Sequence, residues 1–488
     1  MRSPRIPWPL WALVALLAAY GAVLWARMGA VPGGSDNSGY FNEARLMAAG
    51  RLHTALRPVE GLPADAAPAY LYVPLGFRPA AGGMVPTYSP GLPLMLVPAA
   101  LLVGWEHAGD VVLLLHSLAA IALTFALGRL CGLRAAWALA GAVLLAASPL
   151  YLFNSLQALS DVPATAWVAA AVVAALLARR SAGWALASGA FLGVAFLVRP
   201  NDVLAAIPVA LVLWRSPRRL LPVALAAAPF AAAWMAINHA AYGSSLESGY
   251  GAIGGEFHGG LVAGTLAYCA RWLPLLLSPV VLMAPFAAAA GGEDRSVRWA
   301  LVAWAAAYLG FFAPYRWTHE AWWFLRFLLP AAPALIVAGL GALQRAADSL
   351  EAAVRRPVGV YAAACLAAAV AVEALQTGPF REAWGIGRGE RKYGRVAAWI
   401  SPNLPRDAVL LTVQASGALF YYTDFTLVRW DQLGGAWARR VDDAVRRDGR
   451  PLYAVLFPFE EKALGALPGK WVRVGGVEDV GVWRRDAP

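Results

Sequence analysis

Charge is scarce in this chain. Asp, Glu, Lys and Arg make up only 14% of its 488 residues, against 60% hydrophobic side chains, and the mean hydropathy is +0.57. One soluble core cannot enclose that apolar fraction, and apolar stretches of about twenty residues recur along the chain, so the composition reads as a polytopic helical membrane protein. Cysteine is equally thin: Cys131, Cys269 and Cys365 are scattered and have no metal-ligand spacing. That argues against a disulfide framework, and Cys365 reads as a small apolar residue within a helix. Charge is missing from the middles of most apolar segments, and no internal repeat is visible. Both absences weigh against a translocation path, which places ionisable groups deep in its spans or broken helices in matching halves.

What charge there is has a pattern. The net charge of +11 is carried largely by arginines in short clusters between apolar segments. This is the signature of positive-inside topology, not of a nucleic-acid partner. A first apolar stretch, residues 8–27, follows Arg2 and Arg5 and reads as an uncleaved helix with a cytoplasmic N-terminus. Further spans are expected near 109–130, 135–153, 160–178, 183–199, 202–214, 219–238, 273–290, 298–314, 327–343 and 358–376. With the loop after the first span outside, every inner connection is basic: Arg129 and Arg134, Arg179 and Arg180, Arg215 with Arg218 and Arg219, Arg295 and Arg298, and Arg345 with Arg355 and Arg356. The outer connections are poor in arginine. One orientation of about eleven spans, N-terminus in and C-terminus out, therefore satisfies the chain. The short proline-bearing segment from Pro90 to Gly104 would invert that order if it crossed, so it is expected to lie at the outer interface.

The domain reading follows. Residues 1–387 form a transmembrane module whose first extracytoplasmic loop, 28–108, carries interfacial helices, and residues 388–488 form a small extracytoplasmic α/β domain. Strands are expected at Ala408–Val413, Thr426–Trp430 and Leu452–Phe457, with a final pair between Trp471 and Arg484; helices are expected at Ala436–Arg447 and Phe459–Leu467. This domain has no Gly-rich phosphate loop and no nucleophile triad, which favours packing or acceptor docking over catalysis.

Four charged residues stand out at the expected outer face. Asp36 lies just past the first span, where it reads as a helix N-cap, a catalytic base, or both, since a helix N-terminus also attracts anionic groups. Glu43, two turns on, reads as part of a solvated face. Asp161, in Leu159-Ser160-Asp161-Val162-Pro163, opens a span and reads as a cap or as a second acid beside Asp36. Arg199, in Val198-Arg199-Pro200, and Arg326, in Leu325-Arg326-Phe327, are cations against the positive-inside bias. Such a cation either snorkels or grips phosphate oxygens bidentately. His319 and Glu320, before the tryptophans at 322 and 323, are candidate ligands or exposed loop residues.

Together these pieces resemble the GT-C superfamily of membrane glycosyltransferases, in particular bacterial members of the family 39 type akin to the protein O-mannosyltransferases and aminoarabinose transferases. The resemblance runs over about residues 8–376. It rests on Asp36 with Tyr40, the Pro86-Thr87-Tyr88-Ser89-Pro90 stretch, Ser160-Asp161-Val162-Pro163, Val198-Arg199-Pro200-Asn201 and Leu325-Arg326-Phe327-Leu328-Leu329-Pro330. It implies transfer of a sugar, with inversion, from a polyprenyl-phosphate carrier to a lipid, glycan or protein acceptor at the outer face of a bacterial cell membrane. Asp36 and Asp161 would be the catalytic acids, Arg199 and Arg326 the donor-phosphate cations, and Tyr40, Tyr88, His319 and Glu320 acceptor or pocket residues. The chain departs from many members by having Asp36-Asn37 where they carry an Asp-Glu pair. No metal ligand set can be named, and a divalent metal stays an open expectation. The competing reading is a lipid or sugar flippase without glycosyl transfer.

Overall fold

The computed structural model describes residues 8–62, 65, 67–251, 253–289 and 294–486; Arg2 and Arg5 lie outside the described residues. The chain divides into two compact units. The first takes Met1–Met28, Val111–Trp234 and Ala252–Ile386, and the second takes Gly29–Asp110, Met235–Gly251 and Gly387–Pro488.

The first unit is helical and apolar. Six helices of the described residues are long and apolar enough to cross a membrane: Trp8–Arg27, Ala108–Leu130, Asp161–Ala178, Pro217–Tyr242, Trp322–Val354 and Val358–Gln376. A seventh candidate is the pair Ala135–Ala147 and Pro149–Ser155, bent by 62°. The bend follows from Pro149, which has no N–H to continue the first helix but suits the first turn of the next, where Ser148 accepts a capping bond from Tyr151 N. Inner and outer helices differ in exposure, not in composition. The most apolar window of Asp161–Ala178 is 89% buried, whereas that of Trp8–Arg27 is 22% buried. Trp8, Trp11, Val14 and Trp25 stand exposed on the latter, as expected of a helix whose outer solvent is lipid. Asp161–Ala178 packs along Gly183–Val198 and against Ala206–Leu213.

One expected span is not a helix. Of the expected span 273–290, whose last residue lies outside the described residues, 273–289 divide among the end of Val262–Leu276, a 3-10 turn at Pro279–Met283 and a single turn at Phe286–Ala289. Pro274, Pro279 and Pro285 each lack the donor an unbroken helix needs, and Ser278 Oγ instead accepts from Val280 N at 3.1 Å. The weak span at 202–214 is likewise short, a 3-10 segment Pro200–Ala205 running into Ala206–Leu213. The segment after Pro90 is a 13-residue helix, Gly91–Val103, with Pro98 inside it, and it leaves Leu94, Leu101 and Leu102 exposed. That length is too short to span.

The second unit joins the first loop to the C-terminal residues. A hairpin, β1 (Phe77–Ala80) with β2 (Gly83–Pro86), belongs to the loop. The C-terminal sheet holds β3 (Val409–Leu411), β4 (Thr426–Val428), β5 (Leu452–Leu456), β6 (Trp471–Val477) and β7 (Val480–Arg485) in the order β4-β3-β5-β7-β6. Strand β3 pairs in parallel with β4 and β5, while β7 runs antiparallel to β5 and β6. All five expected strands are therefore present. Strand β5, Leu-Tyr-Ala-Val-Leu, is buried throughout because each face of the sheet is covered. Tyr393, Val396, Ala397 and Ile400 pack on one face. Val441, Ala444 and Val445 of the helix Gly435–Arg447 pack on the other, together with Val59, Leu71 and Tyr72 of the first loop.

The polar stretch 385–392, which spans the expected domain boundary at 387/388, is the middle of a 26-residue helix, Gly378–Asn403. The expected helix at 459–467 is a 3-10 segment, Pro458–Ala466, with Pro458 in its first turn.

Candidate functional site

The candidate residues fall into two groups, one in each unit. In the second unit the helix Ser35–Ala48 begins after Gly33-Gly34. Asp36 is not its N-cap, as the sequence suggested; Gly34 takes that place and no side chain caps the helix. Asp36 sits in the first turn, and its Oδ1 accepts a hydrogen bond of 2.8 Å from the Tyr88 hydroxyl. The Ser35 and Tyr88 hydroxyls are 3.2 Å apart. Tyr88 is held by rings on two sides, Tyr40 at 4.7 Å between centroids and Tyr250 edge-on at 6.0 Å. Burial, reinforced by the Asp36 charge, pushes the Tyr88 phenol well above its ordinary value, so it stays protonated and donates to Asp36. Asp36, Tyr40 and Tyr88 are thus brought together.

Of two further acids in this unit, the sequence reading passed over one and placed the other on the wrong face. Glu390, from the helix Gly378–Asn403, is 8% exposed, and its Oε2 accepts from Gly34 N and Asn37 Nδ2, each at 2.7 Å. The approach is so close that a Cβ on Gly33 would overlap that oxygen. Burial raises the Glu390 carboxyl to about 7, with the Asp36 charge adding to the rise and the two hydrogen bonds opposing it. Asn37 is the position where an Asp-Glu pair would have its second acid, and here a carboxylate from far along the chain meets its side chain. Glu43 is the second case: it is 4% exposed, not on a solvated face. Burial holds its carboxyl well above the carboxylate range, and its Oε2 has no hydrogen-bond partner among the described residues.

In the first unit Asp161 opens the helix Asp161–Ala178, and its carboxylate lies between the two unusual arginines. Arg199 Nη1 bonds Asp161 Oδ1, and Arg326 Nη1 lies 3.8 Å from Oδ2. The side chains are 4% exposed for Asp161, 11% for Arg199 and 16% for Arg326. These values place both guanidiniums inside the protein, away from the interface that snorkelling seeks. The backbone explains Arg199: the helix Gly183–Val198 ends there because Pro200 forces the preceding residue out of helical geometry, to φ −148° and ψ 112°. Arg326 projects from the 3-10 segment Trp322–Ala331, and the Phe327 ring lies 5.5 Å from Arg199 and 5.6 Å from Arg326. A further buried acid, Asp202, accepts from the Tyr308 hydroxyl at 2.8 Å. Its signal in the sequence, an acid two residues past Pro200, was passed over as the start of a span. His319 Nδ1 is 3.2 Å from Thr265 Oγ1, and Glu320 is exposed.

Chemically the first group offers a hydrogen-bonded carboxylate at a helix N-terminus, and the second two guanidiniums organised by one carboxylate. Among the described residues no three His, Cys, Asp or Glu side chains converge as a metal site.

The fold that positions these groups, on a multi-pass membrane chain, is similar to folds already solved. No protein-family model and no curated protein matches the sequence, but solved structures do. ArnT from Cupriavidus metallidurans bound to undecaprenyl phosphate is similar with a TM-score of 0.58 at 15% identity, over 98% of this chain and 98% of that one. The oligosaccharyltransferase of Archaeoglobus fulgidus in complex with Zn and sulfate gives 0.50 at 12% identity, over 90% and 67%. The arabinofuranosyltransferase AftD from Mycobacteria gives 0.52 at 15% identity, over 98% of this chain and 40% of that one. At such identities the likeness is one of fold.

Proposed function

We propose that this protein transfers a sugar from a polyprenyl-phosphate carrier to an acceptor hydroxyl or amine on a lipid, glycan or protein. The observation that carries the reading is the buried Arg199–Asp161–Arg326 group, set in a fold similar to that of a protein solved with undecaprenyl phosphate bound. Asp161 holds the two guanidiniums in place, and a phosphate can compete for the same donors with better bidentate geometry.

In the proposed reaction the acceptor's lone pair attacks the anomeric carbon from the face opposite the phosphate. The carbon–oxygen bond to phosphate breaks, and its electron pair leaves on the lipid phosphate. The configuration inverts. Arg199 and Arg326 meet the growing negative charge, the kind of electrostatic stabilisation worth most in a water-poor site. The acceptor's proton goes to the Asp36 carboxylate, which Tyr88 orients. The arginine pattern of the connections supports an extracytoplasmic site in a bacterial cell membrane, with the N-terminus in the cytoplasm.

The test is incubation of the purified protein with a panel of polyprenyl-phosphate sugars and detection of released lipid phosphate. Turnover that is lost in a folded Asp36→Asn variant is the expected result. An active Asn variant overturns the assignment of the base; no turnover with any donor overturns the transferase reading and favours transport.

A further inference from the structure

The helix that carries Asp36 bears a second charged region at its other end. Nine residues separate Asp36 from Arg45, which is roughly 13 Å along the axis and about half a turn round it. There Asn42 and Arg45, with Arg51, Thr54 and Arg57 of the following loop, line a cavity of about 380 Å³. Its far wall is the end of the short helix Ser416–Tyr422 and its exit through Asp424.

Two of the cations, Arg45 and Arg57, are fixed in advance. Arg45 Nη1 donates to Tyr421 O at 2.8 Å, and its guanidinium lies 3.5 Å from the Tyr421 ring centroid. Arg57 Nη1 donates to Thr423 O at 2.7 Å and lies 4.2 Å from the Phe420 centroid. Arg45 also complements the C-terminal end of its own helix, which explains one cation; Arg51 and Arg57 stand beyond that end. Against three arginines the lining holds one acid, Asp424, a fully exposed side chain 3.2 Å from Arg57. Burial pulls the Arg57 guanidinium below its ordinary value despite that partner. The lining therefore carries an excess of two positive charges.

We propose that this cavity binds a phosphate monoester carried on a small polar body such as a sugar, at a site separate from Asp36. A phosphate monoester brings close to two negative charges at neutral pH and three strong acceptor oxygens, which matches the excess. The volume falls in the range of small-molecule pockets, and Thr54, together with the side-chain oxygens of Asn42 and Thr423, whose donors already bond Gly417 O and Leu419 O, gives the lining polar groups for the body of the ligand. The assignment does not depend on glycosyl transfer.

The experiment is calorimetric titration of the full chain in nanodiscs with glucose 6-phosphate, glucose and inorganic phosphate. Glucose 6-phosphate is expected to bind saturably, to weaken as salt is added, and to weaken about tenfold or more in Arg51→Ala and in Arg57→Ala. Glucose is expected not to bind. Arg51 is exposed, so its variant separates loss of binding from loss of fold, which a thermal melt checks. Binding unchanged in both variants, or absent in the parent, overturns the proposal. Inorganic phosphate binding as tightly as the sugar phosphate overturns the organic body. Binding abolished by Arg199→Ala would assign the phosphate to the other arginine group and overturn the site.

Discussion

Glu390 is the residue on which the structure makes its sharpest quantitative statement. Its carboxyl is raised to about 7 in the folded protein from an ordinary value of 4.5, chiefly by burial. A raised folded value means that the folded state prefers the protonated acid. The stabilisation this brings is fully present below the unfolded value, falls as pH rises, and is gone once pH passes about 7. The shift corresponds to about 3 kcal/mol between the two limits, at 1.36 kcal/mol per unit. Glu390→Gln fixes the group in its neutral form. The same oxygen, Oε2, takes both bonds, from Gly34 N and Asn37 Nδ2, so one amide oxygen can replace it without orphaning either donor. The variant should therefore match the parent at pH 4 or below, already exceed it slightly at pH 5, and exceed it at pH 8 by up to about 3 kcal/mol. Denaturant midpoints of the detergent-purified protein at these pH values measure this. A variant less stable than the parent at pH 8, or a parent whose stability does not fall between pH 5 and pH 8, would refute the reasoning. Glu390→Ala is the contrasting case: it leaves Gly34 N and Asn37 Nδ2 without an acceptor and should be less stable than Glu390→Gln at every pH, by about 1–3 kcal/mol per buried orphan.

Other perturbations address the proposed chemistry. Tyr88→Phe removes the hydroxyl that donates to Asp36 at 2.8 Å; a hydrogen bond to a charged group contributes about 1.5–3 kcal/mol, so kcat for sugar transfer should fall roughly tenfold or more, and an unchanged kcat would remove Tyr88 from the site. Arg199→Ala should raise the KM for the lipid-phosphate donor by roughly tenfold or more for the same reason, and a parental KM would reduce Arg199 to a structural partner of Asp161. Asp161→Asn leaves two inward-facing guanidiniums with a neutral partner and should lower the unfolding midpoint by about 3–5 kcal/mol of stability; added polyprenyl phosphate should restore part of it, and no restoration would count against a phosphate at this group.

The sequence revealed residues whose strangeness is local. Arg199 and Arg326 could be picked out because a guanidinium at the arginine-poor side of a membrane chain needs a reason, and Asp161 because an acid opens an otherwise apolar helix. The five C-terminal strands were legible from alternating and continuous apolar runs between turn residues. The 273–290 span was misread because mean hydropathy does not register three missing backbone donors, at Pro274, Pro279 and Pro285. Glu43 was misread, and Glu390 passed over, for a different reason. Both lie on helices whose own residues are polar, and burial there is imposed by elements elsewhere in the sequence, which periodicity within one helix cannot report. For the Gly378–Asn403 helix a signal did exist: Tyr393, Val396, Ala397 and Ile400 repeat at helical spacing and meet the sheet.

The Asp36-Asn37 pair shows what such distance conceals. Along the chain Asn37 looks like a lost acid. In space a carboxylate stands at its side chain, supplied 353 residues away by Glu390. Yet the oxygen that meets Asn37 also accepts from Gly34 N, and those two bonds tie down the turn from which the Asp36 helix starts. The acid is therefore spent on holding the helix N-terminus, and the pattern at 36–37 is better understood as one catalytic candidate and one anchor than as half of a broken pair.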